Sequence, residues 1–173
     1  MDLSILHNIS YGLYLVGASE EGRPVGCIVN TAVQITSDPL TVAVSLSKNN
    51  YTLEVIRAIG RFSLSILTEE TPQEVIAVFG YRSSRDTDKF DAVPFRWDQM
   101  TPLPQAACCG HLICQTLEEV DRGSHVVVFA KVLDALPGAS SAAPMTYRYY
   151  HQVRKAAAPK NAPTYQAPGT QQG

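Results

Sequence analysis

The stretch VGCIVNTAVQITSDPLTVAVSL (residues 25–46) decides the fold. Val, Ile and Thr dominate residues 25–36, Ser37-Asp38-Pro39 interrupts them, and residues 40–46 resume an apolar run. β-Branched side chains suit a pleated, half-buried surface, whereas Ser, Asp and Pro favour turns. Residues 25–36 and 40–46 therefore read as two strands around a polar turn, part of an antiparallel meander. On the N-terminal side, residues 11–18 (YGLYLVGA) form a further strand that ends in the turn signal Ser19-Glu20-Glu21-Gly22. On the C-terminal side, residues 62–67, 107–117 and 125–136 read as strands, the last two joined by residues 118–123 as a hairpin loop. Two short helices interrupt this pattern. Residues 52–59 place Leu53, Ile56 and Ile59 at helical spacing, with Gly60 as a C-terminal cap. The second starts at Thr71-Pro72-Gln73-Glu74, with Thr71 as N-cap, Pro72 at the first position and Glu74 completing a capping box, and runs to about Phe79. The sum is a mainly β chain of at least six strands with a few short helices. A closed or split barrel is favoured over a sandwich, because closure removes exposed edges.

Composition narrows the function classes. The chain has 173 residues, 45% hydrophobic and 17% charged, with a net charge of −2. That suits one domain, placed at residues 1–155, and an Ala/Pro-rich tail at 156–173 that holds no Leu, Ile, Val or Phe. No basic footprint for nucleic acid is present, and no apolar run approaches a membrane span. Residues 1–10 lack a positive region ahead of an apolar block, so no signal peptide is expected and the cytoplasm is the expected compartment. Cys27, Cys108, Cys109 and Cys114 show no Cys-x-x-Cys spacing, and His7, His111 and His151 share none either, so no metal site is assigned. The cysteines read as buried reduced thiols.

Rossmann, P-loop, zinc-protease and nucleophile-elbow patterns are all missing. Ser45-Leu46-Ser47-Lys48 matches Ser-x-x-Lys, but without the companion motifs of a serine acyltransferase. Three segments remain. Ser47-Lys48-Asn49-Asn50-Tyr51-Thr52 lies between a strand and a helix start, where free backbone N–H groups, short polar side chains and a lysine suit a phosphate. Ordinary capping by Asn50 or Thr52, with Lys48 solvated, is the competing reading. In residues 83–90 (SSRDTDKF), Arg85 offers a bidentate fork and Lys89 a point charge, unless the segment is simply a charged surface loop. Asn30, Thr31, Gln34 and Thr36 interrupt an otherwise buried strand and need polar partners. Either a planar ligand with a polar edge or turn and interface contacts would supply them.

On these residues the chain resembles the flavin reductase-like, FMN-binding split-barrel family, which includes flavoredoxins and NAD(P)H:flavin oxidoreductases, and most of all its rubredoxin-linked branch. The matching stretches are ISYGLY (9–14), GCIVNT (26–31), SKNNYT (47–52), residues 79–90, GSH (123–125) and YRYYH (147–151), which span nearly the whole chain. The resemblance implies a homodimer of six-stranded split barrels of Greek-key type, with FMN at or near the subunit interface. It places Asn30, Thr31 and Ala32 beside the isoalloxazine ring and Ser47, Lys48, Asn50 and Thr52 around the phosphate, with Asn49 and Tyr51 in the same motif. Arg85 and Lys89 fall near the phosphate or the neighbouring subunit. The implied activity is hydride acceptance from NADH or NADPH and electron delivery to free flavin, rubredoxin or another redox partner. The alternative is a flavoredoxin-type electron carrier with no NAD(P)H activity of its own.

No protein nucleophile is needed for this chemistry. His125 is a candidate catalytic contact, but Gly123-Ser124-His125 departs from the family's Gly-Asp-His, and a packed histidine at a hairpin end fits equally. In rubredoxin-fused relatives a segment like Ala162-Pro163-Thr164-Tyr165 precedes a Cys-x-x-Cys domain. The sequence holds no such domain, so a rubredoxin partner is expected as a separate chain. Trp97, in the Pro-bounded stretch PFRW (94–97), reads as core filler with a flavin lid as the rival. Tyr147, Tyr149 and Tyr150 read as a dimer interface, with cofactor stacking as the rival.

Overall fold

A computed structural model describes residues 2–156, 162 and 164. Strands β1 (Tyr14–Glu20) and β2 (Arg23–Val29) form a hairpin, followed by β3 (Ala32–Ser37) and β4 (Leu40–Ser47). Helix α1 (Tyr51–Ile59) leads into β5 (Arg61–Leu67), and α2 (Gln73–Tyr81) follows. A small hairpin of β6 (Phe95–Asp98) and β7 (Thr101–Pro104) precedes the two long strands β8 (Cys108–Arg122) and β9 (His125–Pro137). Helix α3 (Tyr147–Gln152) comes last, and short 3-10 turns lie at Leu3–Asn8 and Lys89–Ala92. The main sheet holds seven strands in the order β2-β1-β5-β8-β9-β4-β3, every pairing antiparallel.

The chain is mainly β with short helices, as expected, and its curled sheet does not close. The main sheet has seven strands against the six expected. The extra strand arises because residues 25–36 are not one strand: the chain breaks at Asn30-Thr31. Before the break β2 pairs with β1; after it β3 pairs with β4, and Ser45 N donates to Thr31 O at 3.0 Å. Curling brings Val25, Cys27 and Val29 of β2 into one core with Val42, Val44 and Leu46 of β4. Helix α1 adds Leu53, Val55 and Ile56 to that core. A second core on the other face of β1 gathers Leu15, Leu67, Ile76, Phe79 and Tyr150 beneath α2 and α3. Apolar side chains leave β1 on both faces, which is why so much of the sequence is apolar and so little charged.

Local chemistry explains most boundaries. Asn50 caps α1, its Oδ1 accepting from Thr52 N at 3.0 Å, and Gly60 ends it at φ 67°. The capping box expected at Thr71 does not form. Thr71 Oγ1 instead accepts from Thr68 N and donates to Ala107 O, and α2 begins after Pro72 with no side-chain cap. The helix also passes Gly80 and ends at Tyr81. Residues 118–122 are strand and not loop. The β8–β9 turn is only Gly123-Ser124, with Gly123 at φ 79° as a tight hairpin requires. Trp97 is not core filler: it sits in β6, 43% exposed, with Phe95 against its edge. The expected tail beyond Ala156, apart from Ala162 and Thr164, and the His7 side chain lie outside the described residues.

Candidate active site

A cleft of about 510 Å³ opens where β2, the β4–α1 turn, the end of α2 and α3 meet. Its floor is apolar, with Cys27, Ile28 and Val29 of β2 and Ile76 and Phe79 of α2. The strands deliver these residues because alternate β2 side chains face α2 and the interior core. Gly26 permits the close approach: a Cβ there would lie 2.8 Å from Val16 O and 3.0 Å from the Phe79 ring.

Polar groups come from the β4–α1 turn. Ser47, Asn49, Asn50 and Tyr51 all line the cleft. Ser47 Oγ accepts from Asn49 N at 3.4 Å, and the first turn of α1 follows directly, so its N–H groups and positive dipole end lie at this turn. His125 also lines the cleft, paired in register with Ser47 across β4 and β9. Its Nδ1 lies 2.8 Å from Ser124 Oγ, while its Nε2 is buried and has no hydrogen-bond partner among the described residues. A buried ring nitrogen without a partner is costly, and a ligand in the cleft would satisfy it.

Lys89 is 2% exposed and also lines the cleft. Its Nζ donates to Gly26 O at 2.8 Å and Phe79 O at 3.1 Å, so it fastens β2 to α2. Burial pulls its ammonium below the usual lysine range, with the nearby Cys27 sulfur acting the other way. Burial pushes the Cys27 thiol up, opposed by Lys89 and by hydrogen bonds from Thr52 and Asn50. The cysteines are reduced, and burial raises the thiols of Cys108 and Cys114 to about 12.

Asn30 lines the cleft and is 4% exposed. The other sequence candidates stand beside the cleft without lining it. Thr31 holds Asn30 in place, donating its hydroxyl to Asn30 Oδ1 at 3.1 Å. Ala32 opens β3, its carbonyl reached by the Tyr14 hydroxyl at 3.5 Å. Lys48 is turned to Asp121 on the β8–β9 hairpin. Thr52 is buried under the start of α1, next to Cys27. Arg85 donates through Nη2 to both carboxylate oxygens of Glu54 at 2.7 and 2.8 Å and stacks 4.5 Å from the Tyr51 ring centroid. Tyr51 itself donates to Glu20, which Arg23 also grips.

Arg82, Ser83 and Ser84 line the cleft just beyond α2, although the sequence reading of residues 83–90 gives roles only to Arg85 and Lys89. Arg82 is exposed and makes no ion pair among the described residues. Ser84 is buried and binds both backbone groups of Gly26, at 3.1 and 3.0 Å. The signal was present, in a Ser-Ser pair and an arginine right after an amphipathic helix. Tyr147 and Tyr150 of α3 line the cleft. Among the described residues no group of three His, Cys, Asp or Glu side chains could hold a metal.

Comparison with known proteins agrees with this geometry. The profile of the "Flavin reductase like domain" matches residues 6–156. The chain is 41% identical over 170 residues to "High molecular weight rubredoxin" of Moorella thermoacetica, covering 95% of this chain and 72% of that protein. It is 36% identical over 166 residues to "Ferric-chelate reductase (NAD(P)H)" of Archaeoglobus fulgidus, covering 95% and 98% respectively. Among solved structures, nitrilotriacetate monooxygenase component B from Mycobacterium thermoresistibile superposes with a TM-score of 0.70 at 29% identity, over 78% of this chain and 73% of that one. With a family profile covering most of its length and two relatives above 30% identity, the chain belongs to the flavin reductase-like family.

Proposed function

We propose that the chain is an FMN-dependent oxidoreductase that accepts hydride from NADH or NADPH and passes electrons to free flavin, rubredoxin or another acceptor. One observation carries this reading: a single cleft joins an apolar, aromatic floor to a polar strand-to-helix turn, with one orphaned buried nitrogen, His125 Nε2. A flat ring bearing a phosphate tail matches both halves. Bound FMN would supply the two-electron chemistry that amino acids lack.

The chain's own residues hold and orient it. Ser47, Asn49 and Asn50 bind the phosphate at the positive dipole end of α1, with Arg82, which has no ion pair among the described residues, on the same cleft. Asn30, steadied by Thr31 and followed by the strand start at Ala32, faces the ring's polar edge. Tyr51, Phe79 and Tyr147 wall the ring and exclude water. Lys89 acts indirectly by fixing Gly26 against Phe79, Lys48 and Arg85 support the rim through Asp121 and Glu54, and Thr52 packs beneath the turn.

The same reading covers assembly. Residues 1–155 form the flavin domain and 156–173 a tail. Val33 and Ile35, 57% and 47% exposed, lie on the edge strand β3, and Val33, Ala43 and Phe129 stand side by side in one cross-strand row. An apolar edge of this kind calls for a second copy of the chain. A separate rubredoxin is an acceptor suggested by the Moorella relative's name. Among the described residues no helix is long and apolar enough to cross a membrane. Steady-state oxidation of NADH and NADPH by the FMN-loaded protein, with free flavin as acceptor, tests the reading. Turnover with either donor supports it, and none with both leaves only the electron carrier.

A further inference from the structure

Two residues far apart in sequence meet at the cleft. Asn30 Nδ2 donates to Thr164 Oγ1 at 2.8 Å, and Thr164 Oγ1 donates in turn to the Tyr147 hydroxyl at 2.7 Å. Asn30 and Tyr147 both line the cleft, as does Ala162, two residues before Thr164. Both ends of the Asn30 amide are held: its Oδ1 accepts from Thr31 Oγ1 and its Nδ2 donates to Thr164, which fixes its orientation and leaves one N–H free for a ligand. The Tyr147 hydroxyl accepts from Thr164, so its own proton is left to donate elsewhere. Burial raises this phenol above its usual value, so it remains protonated at neutral pH.

We propose that Thr164 is a positioning residue of the cofactor cleft, which orders a donor chain from Asn30 through its own hydroxyl to Tyr147 and so presents the Tyr147 O–H to the bound flavin. The inference rests on the flavin reading above and adds a residue from beyond the compact domain. A single hydroxyl sits in the middle of a directional chain, so it acts through its neighbours and not by touching the ring. Hydrogen bonds in series polarise one another, and removing the middle member weakens both ends.

The test is the rate of FMN release, followed by the recovery of flavin fluorescence after dilution. Thr164→Val keeps the shape and deletes the hydroxyl, and it should speed release about five- to tenfold. Thr164→Ser keeps the hydroxyl and should stay within about twofold of the parent, given that the same hydrogen bonds remain available. Tyr147→Phe should speed release as Thr164→Val does, and the double variant should be no faster than either single one, because both cut the same chain. Release from Thr164→Val at the parental rate overturns the inference and leaves the flavin reading standing. Multiplying effects in the double variant overturn it too, because they show independent action. A parent chain that binds no FMN overturns both.

Discussion

Ser47 and His125 stand directly opposite each other across the β4–β9 ladder, the last residue of one strand facing the first of the other. The pairing brings the polar turn that opens α1 and the imidazole of a two-residue hairpin to the same cleft. Ser124 holds the ring by Nδ1, and Nε2 is left unpaired. Removing that nitrogen should therefore cost cofactor binding and spare the fold. His125→Ala is expected to weaken FMN binding about tenfold, corresponding to one hydrogen bond of about 1–1.5 kcal/mol. Fluorescence titration checks this, and an unchanged melting temperature shows that the loss is local. An unaltered dissociation constant would make His125 a packing residue.

Two cations, Arg82 at the cleft and Lys48 in the polar turn, should behave differently. Arg82 lines the cleft without an ion pair among the described residues, whereas Lys48 is half-exposed and bound to Asp121. Arg82→Ala should weaken FMN binding about tenfold, through loss of a charge-assisted contact of about 1.5 kcal/mol. Lys48→Ala, which breaks a surface pair of about 0–1 kcal/mol, should change it less than about threefold. The reverse order would place the phosphate at Lys48.

Lys89 predicts an alkaline signature in stability. Its folded pKa lies below the unfolded value of 10.5, because burial disfavours the ammonium. The folded protein thus sheds this proton before the unfolded chain does. Between the lowered value and 10.5 the unfolded state binds more protons, so this group favours folding increasingly as pH rises through that window. Lys89→Met should abolish that contribution. Melting temperatures of parent and variant across alkaline pH should diverge in slope, and parallel curves would contradict the burial of the ammonium.

Gly26 carries a steric prediction. It accepts from Lys89 and Ser84 and leaves no room for a Cβ against Val16 O. Gly26→Ala should destabilise the protein by about 1–3 kcal/mol through overpacking. It should also weaken FMN binding, because Phe79 and β2 must move apart at the cleft floor. Denaturant midpoints with a constant slope would measure the first effect, and titration the second.

Strand content was legible because β-branched runs announce it: β1, β4, β5 and β9 all begin or end within a few residues of the expected places. The break at Asn30-Thr31 was not, because the residues that end β2 are polar for the sake of partners as distant as Thr164. Glu118, Glu119 and Asp121 looked like a loop, yet backbone pairing with Phe129, Val128 and Val126 carries them as strand. The Ser47–Tyr51 turn stood out since its composition is local. The fates of Lys48 and Arg85 were hidden, for their acidic partners lie on the β8–β9 hairpin and on α1. Tyr147 and Tyr150 read from sequence as a dimer interface with cofactor stacking as the rival, and only the fold shows that they line the cleft.

The most direct measurement is the visible absorption spectrum of the FMN-reconstituted protein, recorded without oxygen before and after adding NADH or NADPH. The account predicts the bands of protein-bound oxidised flavin, bleached by at least one of the two donors. A protein that retains no flavin would contradict the assignment of the cleft, and a bound flavin that neither donor bleaches would contradict its role as a nicotinamide-dependent reductase.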